Sequence, residues 1–293
     1  RAIADLQAAA EDGRLAEAAR WILDSRVVFL KKKTGVAPRP VRVGELWRRA
    51  IAKRLVAKHQ TEVGALCAGL RQYGVAIPGG AEGLVHARDE VERYLWEAGG
   101  GLVVLDLDLV NCFPTIEWPS IREALTEFTP SLRPWEEWCH RAPVPVQLPS
   151  GEQVRCDRGA EQGDPLGSLK SALAIALAIR RTRERLRLAL GAEPAYADVW
   201  HMDDGQVFIR PDLVDPFLRI FDEELARIGA TRGSGPDVKS VARYVGRAAE
   251  PADWAPDHVR RTCRVVSGAT PIKVLGAMVG GLRASGGSGA PSP

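Results

Sequence analysis

The sequence predicts an α+β fold in which an antiparallel sheet carries helices packed on one face. The run "GLVVLDLDL" at residues 101–109 starts fully apolar and then alternates, which is typical of a β-strand. The run "VWHMDDGQVFI" at 199–209 places an Asp-Gly pair between two β-prone segments, the strongest short signal of a hairpin. Long segments with helical spacing lie around both runs, such as residues 166–190.

The composition is that of an ordinary globular protein. The 293 residues allow one large domain or two, with 45% hydrophobic and 26% charged residues. The five cysteines have no C-x-x-C spacing, and no signal peptide or membrane-spanning run is visible. We therefore expect an intracellular protein with reduced thiols and no membrane partner. The start at Arg1 and the Gly/Ser/Pro-rich end lead us to expect a flexible tail and a fragment of a longer protein.

Basic residues are concentrated near the start of the chain. Residues 26–60 contain eleven Lys or Arg against one acid, Glu45, although the net charge is only +3. Such a cluster attracts polyanions such as nucleic acid or nucleotide phosphates. An isolated basic cluster is also compatible with a solvated surface, so this pattern alone does not identify a partner.

The first half of the chain alternates helical and strand patterns. A helical pattern at 2–24 precedes a β-prone segment, 27–43, that we interpret as two strands joined by a Lys-Gly-Pro loop. In order, the patterns after it predict a helix that follows Gly44, a turn-rich loop at 72–83, a helix at 81–97 and the strand at 101–109.

The second half is predicted in the same way. A short helix at 119–128 has Pro119 near its first turn, and a hairpin at 144–156 turns around Ser150 and Gly151. Then come a glycine-punctuated loop at 158–167, the long helix, the 199–209 hairpin with Asp204 and Gly205 as its turn, a helix at 212–229 and a terminal apolar run at 271–280.

Three aspartates form the candidate site. Asp108 stands at the polar end of its strand, and Asp203 and Asp204 lie at the tip of the predicted hairpin. Three converging carboxylates repel one another, so such a cluster persists only if a cation neutralises it. Oxygen ligands of this kind suit Mg²⁺, with Mn²⁺ as a second option. Two such ions form the clamp used for in-line displacement at phosphorus.

Simpler interpretations stand beside this one. Asp106 shares a strand face with Asp108 and is an alternative ligand, although only Asp108 lies five residues before Phe113. Asp204 is also explained by an Asp-Gly turn. Phe113 taken alone fits a core position, and Lys239 taken alone fits a solvated surface.

Five short segments follow one another in a characteristic order along the chain. They are "DLVNCF" (108–113), "EQGDPLG" (161–167), "HMDD" (201–204), "DVKS" (237–240) and "KVLGAMVG" (273–280). Together they resemble the palm motifs of reverse transcriptases. The pattern is similar to non-LTR, LINE-type retroelement enzymes over residues 25–285. The resemblance implies a polymerase fingers–palm fold. Residues 1–100 would form the fingers region with an N-terminal helix, 101–262 the palm, and 263–293 a primer-grip-like hairpin and tail, with the thumb truncated.

The resemblance also implies roles for individual residues. Asp108, Asp203 and Asp204 match the catalytic metal ligands, and Lys239 matches a lysine near the leaving pyrophosphate, where it is a candidate general acid. Phe113 matches the aromatic residue under the incoming sugar that excludes a 2′-hydroxyl. The pair Gln162 and Gly163 matches the segment over the template and incoming base. Arg39, with Lys33 and Lys32, matches the group that grips the triphosphate.

The function implied is an RNA-directed DNA polymerase that uses an RNA template, a DNA primer and deoxynucleotides. For a eukaryotic element, the nucleus is the expected compartment. One alternative is an RNA-dependent RNA polymerase, although such enzymes usually have a second aspartate where Phe113 stands. Another is an inactive element-derived remnant that only binds RNA.

Overall fold

The computed structural model describes residues 2–31, 38–235, 238–275 and 277–279. The helices are α1 (Ala2–Glu11), α2 (Leu46–Gly69), α3 (Gly80–Glu97), α4 (Cys112–Thr115), α5 (Trp118–Phe128), α6 (Arg133–His140), α7 (Gly167–Leu190), α8 (Val214–Arg227) and α9 (Asp257–Thr262). The strands are β1 (Ser25–Leu30), β2 (Arg39–Gly44), β3 (Gly101–Asp108), β4 (Val144–Gln147), β5 (Gln153–Cys156), β6 (Tyr196–His201), β7 (Asp204–Ile209), β8 (Val241–Gly246), β9 (Arg264–Val266), β10 (Ile272–Val274) and β11 (Ala277–Val279).

The N-terminal helical pattern does not form one continuous helix. Helix α1 ends at Glu11, and a 3₁₀ helix follows at Glu17–Leu23. Gly13 lies between them with a φ of +65°, a left-handed conformation that glycine adopts without strain. A Cβ atom at Gly13 would lie 2.6 Å from the carbonyl oxygen of Pro134, so the chain turns there against α6.

Two larger sheets organise the described chain, and both are mixed. The central sheet has the order β6-β7-β3-β8-β9, and its β8–β9 pair is parallel. The second sheet has the order β2-β1-β4-β5, and its β1–β4 pair is parallel. The expectation of a purely antiparallel sheet was therefore wrong. The segment with α9 carries the chain back so that β9 runs beside β8 in the same direction, a connection that no two-residue turn can make.

Helices cover both faces of the central sheet, which corrects the expectation of helices on one face. Val103, Leu105 and Leu107 of β3 belong to the main core, to which α5, α7 and α8 also contribute. Val104, on the opposite face of the same strand, packs in a cluster that includes Val91 of α3. Because side chains alternate along a strand, the apolar start of β3 reflects burial on both sides.

The hairpin β6–β7 turns two positions earlier than the Asp-Gly signal predicts. His201 pairs with Asp204, so Met202 and Asp203 form the turn and Asp204 begins β7. Gly205 lies inside the strand opposite Trp200, where a Cβ atom would be 2.4 Å from the indole ring. The glycine therefore permits close packing of a buried tryptophan, and the left-handed turn residue is Met202, with a φ of +57°.

The last described hairpin, β10–β11, packs beside α3. Ile272 and Val274 share a small apolar cluster with Leu84 of α3 and Val241 of β8. The hairpin therefore shares one apolar cluster with α3 and with β8 of the central sheet. No helix in the described ranges has the length and apolar character needed to cross a membrane.

Candidate active site

Asp108 and Asp204 face each other on two neighbouring strands of the central sheet. Asp108 ends β3, Asp204 begins β7, and the antiparallel register pairs them directly. Directly opposed residues in such a pair have Cβ atoms about 4.5–5.5 Å apart on the same face. Asp203 occupies the adjoining turn. The fold therefore brings Asp108 to the hairpin that carries Asp203 and Asp204, although Asp108 and Asp203 are 95 positions apart in the sequence.

The three negative charges influence one another. Desolvation raises the pKa of Asp204 to about 6, and the charges of Asp203 and Asp108 contribute in the same direction, while Lys239 opposes them. Burial raises the pKa of the Cys112 thiol to about 12, with a further contribution from the charge of Asp203. The turn carboxylate thus acts electrostatically on both the β3–β7 pair and the start of α4.

Lys239 joins the site by a contact with Asp108. Its Nζ lies 3.3 Å from Oδ2 of Asp108, and 73% of the lysine side chain is exposed. The next residue, Ser240, accepts a hydrogen bond at Oγ from the backbone N–H of Asp108, at 3.1 Å. Residues 239 and 240 therefore contact both the side chain and the backbone at the end of β3, and the lysine ammonium partly neutralises Asp108.

Asp106 has a different environment from Asp108. Both oxygens of its carboxylate accept hydrogen bonds from the guanidinium of Arg88 in α3, one of them at 3.1 Å. Arg88 also contacts Glu92, which in turn pairs with Arg243 of β8. Burial raises the pKa of Asp106, and Arg88 counteracts this effect. The buried network uses the Asp106 carboxylate to attach α3 to the sheet.

The aspartates provide hard oxygen donors, but they are not arranged as a ready-made ligand shell. Among the residues that the structure describes, no group of three or more His, Cys, Asp and Glu side chains has the arrangement of a metal site. The pKa of Asp204 is raised mainly by desolvation and further by the charges of Asp203 and Asp108, and a divalent cation would reduce the contribution of those charges. The residues fit Mg²⁺ in donor chemistry, because carboxylate oxygens are its preferred ligands.

Phe113 lies on α4 with its ring mostly buried. Its relative exposure is 9%, and it belongs to the main apolar core. Its carbonyl oxygen accepts a hydrogen bond of 2.7 Å from the N–H of Ala160, so the loop before α7 packs against α4. The small exposed part of the ring is the part that could meet a sugar, and core packing explains the rest.

The loop with Gln162 and Gly163 is held by close contacts with β2 and α2. Gln162 is exposed, whereas a Cβ atom at Gly163 would lie 2.2 Å from the carbonyl oxygen of Arg42 in β2. The preceding residue, Glu161, is buried and contacts two guanidinium groups, at 2.9 Å for Arg42 and in a closer contact for Arg48. The loop is thereby attached to β2 and α2, while its glutamine side chain remains accessible.

Further buried ion pairs connect this loop to α7 and α6. Asp164 accepts from Arg48 and Lys170 at 3.3 Å each, and it caps the turn into α7 by accepting from the N–H of Leu166 at 2.9 Å. Lys170 also contacts Glu136 at 3.3 Å. Residue types alone did not reveal this network, since each member looked like a surface charge. The acidic residues beside the Gln-Gly pair were the one available signal.

The predicted triphosphate group is only partly described. Lys32 and Lys33 lie outside the described residues. Arg39 is described in its backbone, which begins β2 and pairs with Leu30. Their expected contacts with triphosphate therefore stay predictions.

Comparison with known proteins gives one partial relationship. No family model matches the chain. The chain is 28% identical over 196 residues to the retrovirus-related Pol polyprotein from type-1 retrotransposable element R2 of Nasonia vitripennis. The match covers 63% of this chain and 18% of that protein, so the chain spans less than a fifth of the length of this relative. The match supports a relationship to retroelement proteins.

Proposed function

We propose that this chain is the nucleotidyl-transfer part of a retroelement reverse transcriptase, which extends a DNA primer on an RNA template. The observation that carries the proposal is the opposition of Asp108 and Asp204 across β3 and β7, with Asp203 in the adjoining turn. The order of the sequence motifs and the partial likeness to an R2 Pol polyprotein support the same class of protein.

In this proposal, Asp108, Asp203 and Asp204 hold two Mg²⁺ ions, or Mn²⁺ in their place. When bound, the cations supply activation of the primer 3′-hydroxyl and neutralisation of the leaving pyrophosphate. Lys239, whose Nζ lies 3.3 Å from Asp108, would contact the leaving pyrophosphate, and its ammonium would donate a proton to that leaving group. Phe113, on α4, would limit the room beside the incoming sugar and so select deoxynucleotides.

The segments beside the aspartates would orient the other substrates. Gln162 is exposed on a loop whose base is held by buried ion pairs, so it can contact template and incoming base without moving the backbone. Arg39, Lys33 and Lys32 would neutralise triphosphate charge, because guanidinium and ammonium groups bind phosphate oxygens. The domain assignment of fingers and palm belongs to the same proposal.

One observation favours a second candidate, an RNA-binding remnant without catalysis. Lys239 already contacts Asp108, and a complete ligand shell is absent among the described residues. An RNA-dependent RNA polymerase is the other alternative, and the choice of nucleotide separates it from a reverse transcriptase.

The test is metal-dependent incorporation of dTTP on poly(rA) primed with oligo(dT), by the wild type and by Asp203→Ala. We expect incorporation by the wild type with Mg²⁺ or Mn²⁺ and a loss of at least about a hundredfold in the variant, because an interaction with transition-state charge is removed. The matched control is Asp253→Ala, an exposed aspartate of the loop before α9. Incorporation by Asp203→Ala at the wild-type rate would refute the assignment, and RNA binding without incorporation would favour the remnant.

A further inference from the structure

A short segment after α2 runs alongside the edge strand of the central sheet. Gln72 forms a parallel bridge with Trp200 of β6. The N–H of Tyr73 donates to the carbonyl of Trp200 at 2.6 Å, and the N–H of Trp200 donates to the carbonyl of Arg71 at 2.9 Å. Residues 71–73 therefore cover the open edge of β6 close to the hairpin turn.

The side chain of Gln72 reaches beyond β6 to the turn itself. Only 2% of the residue is exposed. Its Oε1 accepts hydrogen bonds from the N–H groups of Met202, at 2.6 Å, and Gly74, at 3.2 Å, while its Nε2 donates to the carbonyl of Met202 at 3.1 Å. The primary amide thus binds both backbone polar groups of one turn residue, which an ionised carboxylate cannot reproduce because it has no donor.

The backbone that Gln72 holds is in an unfavourable conformation. Met202 has a φ of +57°, a region that an L-residue with a side chain avoids and that persists only when its surroundings impose it. Gly74 completes the contact, since a Cβ atom there would lie 2.5 Å from the nitrogen of Met202. Asp203 follows directly, so the direction of its side chain depends on the conformation at Met202.

From these contacts we infer that Gln72 is a positioning residue for Asp203. The amide fixes the turn from outside the hairpin, and it thereby sets where the Asp203 carboxylate stands relative to Asp108 and Asp204. The catalytic consequence of this inference rests on the proposed function. The structural part does not, because it concerns only the turn backbone.

The test compares the wild type, Gln72→Met and Gln72→Asn. Methionine keeps the length of the side chain without its hydrogen bonds, and asparagine keeps the amide but withdraws it by one methylene. Hydrogen exchange of the 199–205 peptide is measured together with kcat and KM for dTTP and the midpoint of thermal unfolding. For both variants we expect about tenfold faster exchange in that peptide and at least about a tenfold lower kcat with KM unchanged, because the carboxylate is misplaced.

The matched control is Gln153→Met, an exposed glutamine in β5. It should leave exchange at 199–205 and kcat as in the wild type. If Gln72→Met fails to fold, Gln72→Asn decides. Unchanged exchange at 199–205 would overturn the inference, and so would faster exchange with an unchanged kcat. If the wild type extends no primer, the proposed function fails, and exchange of the 199–205 peptide alone decides whether Gln72 holds the turn.

Discussion

Asp204 is the residue of the site whose pKa is raised by its surroundings. It faces Asp108 across the sheet and follows Asp203 in sequence, and desolvation together with these two charges raises its pKa to about 6. An isolated aspartate titrates near pH 3.9. The ionised form of Asp204 is therefore less favourable in the folded protein than in the unfolded chain. A bound cation or Lys239 would reduce the part of this cost that comes from the neighbouring carboxylates.

This shift predicts a pH-dependent gain in stability for Asp204→Asn in the metal-free protein. Because the folded state holds the proton more tightly, the cost of Asp204 is absent below about pH 4, grows as the pH rises to about 6 and is complete above it. We expect the variant to melt about 2 °C higher than the wild type at about pH 7.5, for a solvent-screened cost of ~1 kcal/mol, and equally at about pH 4. A Tm difference that is the same at both pH values would show that Asp204 titrates normally.

At the scale of elements, the hairpin β6–β7 depends on close packing between its strands. Trp200 is fully buried, donates from Nε1 to Asp198 at 3.0 Å and lies over Gly205. The turn is formed by Met202 and Asp203, which the neighbouring Gln72 holds. Two contacts thus set the position of Asp203 and Asp204. Trp200 packs against Gly205 within the hairpin, and Gln72 holds the turn.

Gly205→Ala is expected to destabilise the protein by ~2 kcal/mol, since the new methyl group would overlap the Trp200 ring in a well-packed core. Unfolding in urea measures the difference in free energy. The control is Gly83→Ala in α3, where a Cβ atom meets nothing within 4 Å and alanine favours the helix. Equal losses in the two variants would contradict a specific role for the Trp200–Gly205 contact.

At the scale of the whole molecule, buried ion pairs join the parts that would hold template and catalytic groups. Glu161 contacts Arg42 of β2 and Arg48 of α2, and the network continues to Lys170 of α7. Burial alone would raise the pKa of Glu161, but Arg48, with His140, Arg42 and Lys170, holds it well below its ordinary value. The loop that carries Gln162 is therefore attached to β2 of the second sheet and to α2 and α7 by buried ion pairs.

Glu161→Gln is expected to reduce the free energy of unfolding by ~3 kcal/mol, because it removes the counter-charge of the buried Arg42 guanidinium and leaves Arg48 with Asp164 as its remaining acidic partner. Denaturant titration measures the loss. The control is Asp212→Asn, which removes an exposed ion pair with Arg210 and should cost less than ~1 kcal/mol. A loss for Glu161→Gln as small as that of the control would show that the network contributes little to stability.

The local patterns predicted a large part of the elements. The strand at 101–109, the helices at 81–97 and 166–190 and the hairpin at 144–156 occur within a few residues of the predicted ranges. These elements depend on periodicity and turn residues within short segments, which a sequence contains directly. The approach of Asp108 to the hairpin with Asp203 and Asp204 was predicted from a strand end and a hairpin tip on one sheet. The direct pairing of Asp108 with Asp204 was not predicted, because the Asp-Gly signal placed Asp204 in the turn.

By itself, the sequence determined many of the strands and helices and which aspartates are available for a site, although it did not show the break after Glu11. Only the tertiary structure decided that α3 covers the second face of the sheet, that Met202 and Asp203 form the turn, and that Gln72 holds it. The physical reason is that these outcomes depend on contacts between residues far apart in the chain. Gln72 and Met202 are 130 positions apart, so no local pattern in the sequence indicates their hydrogen bonds.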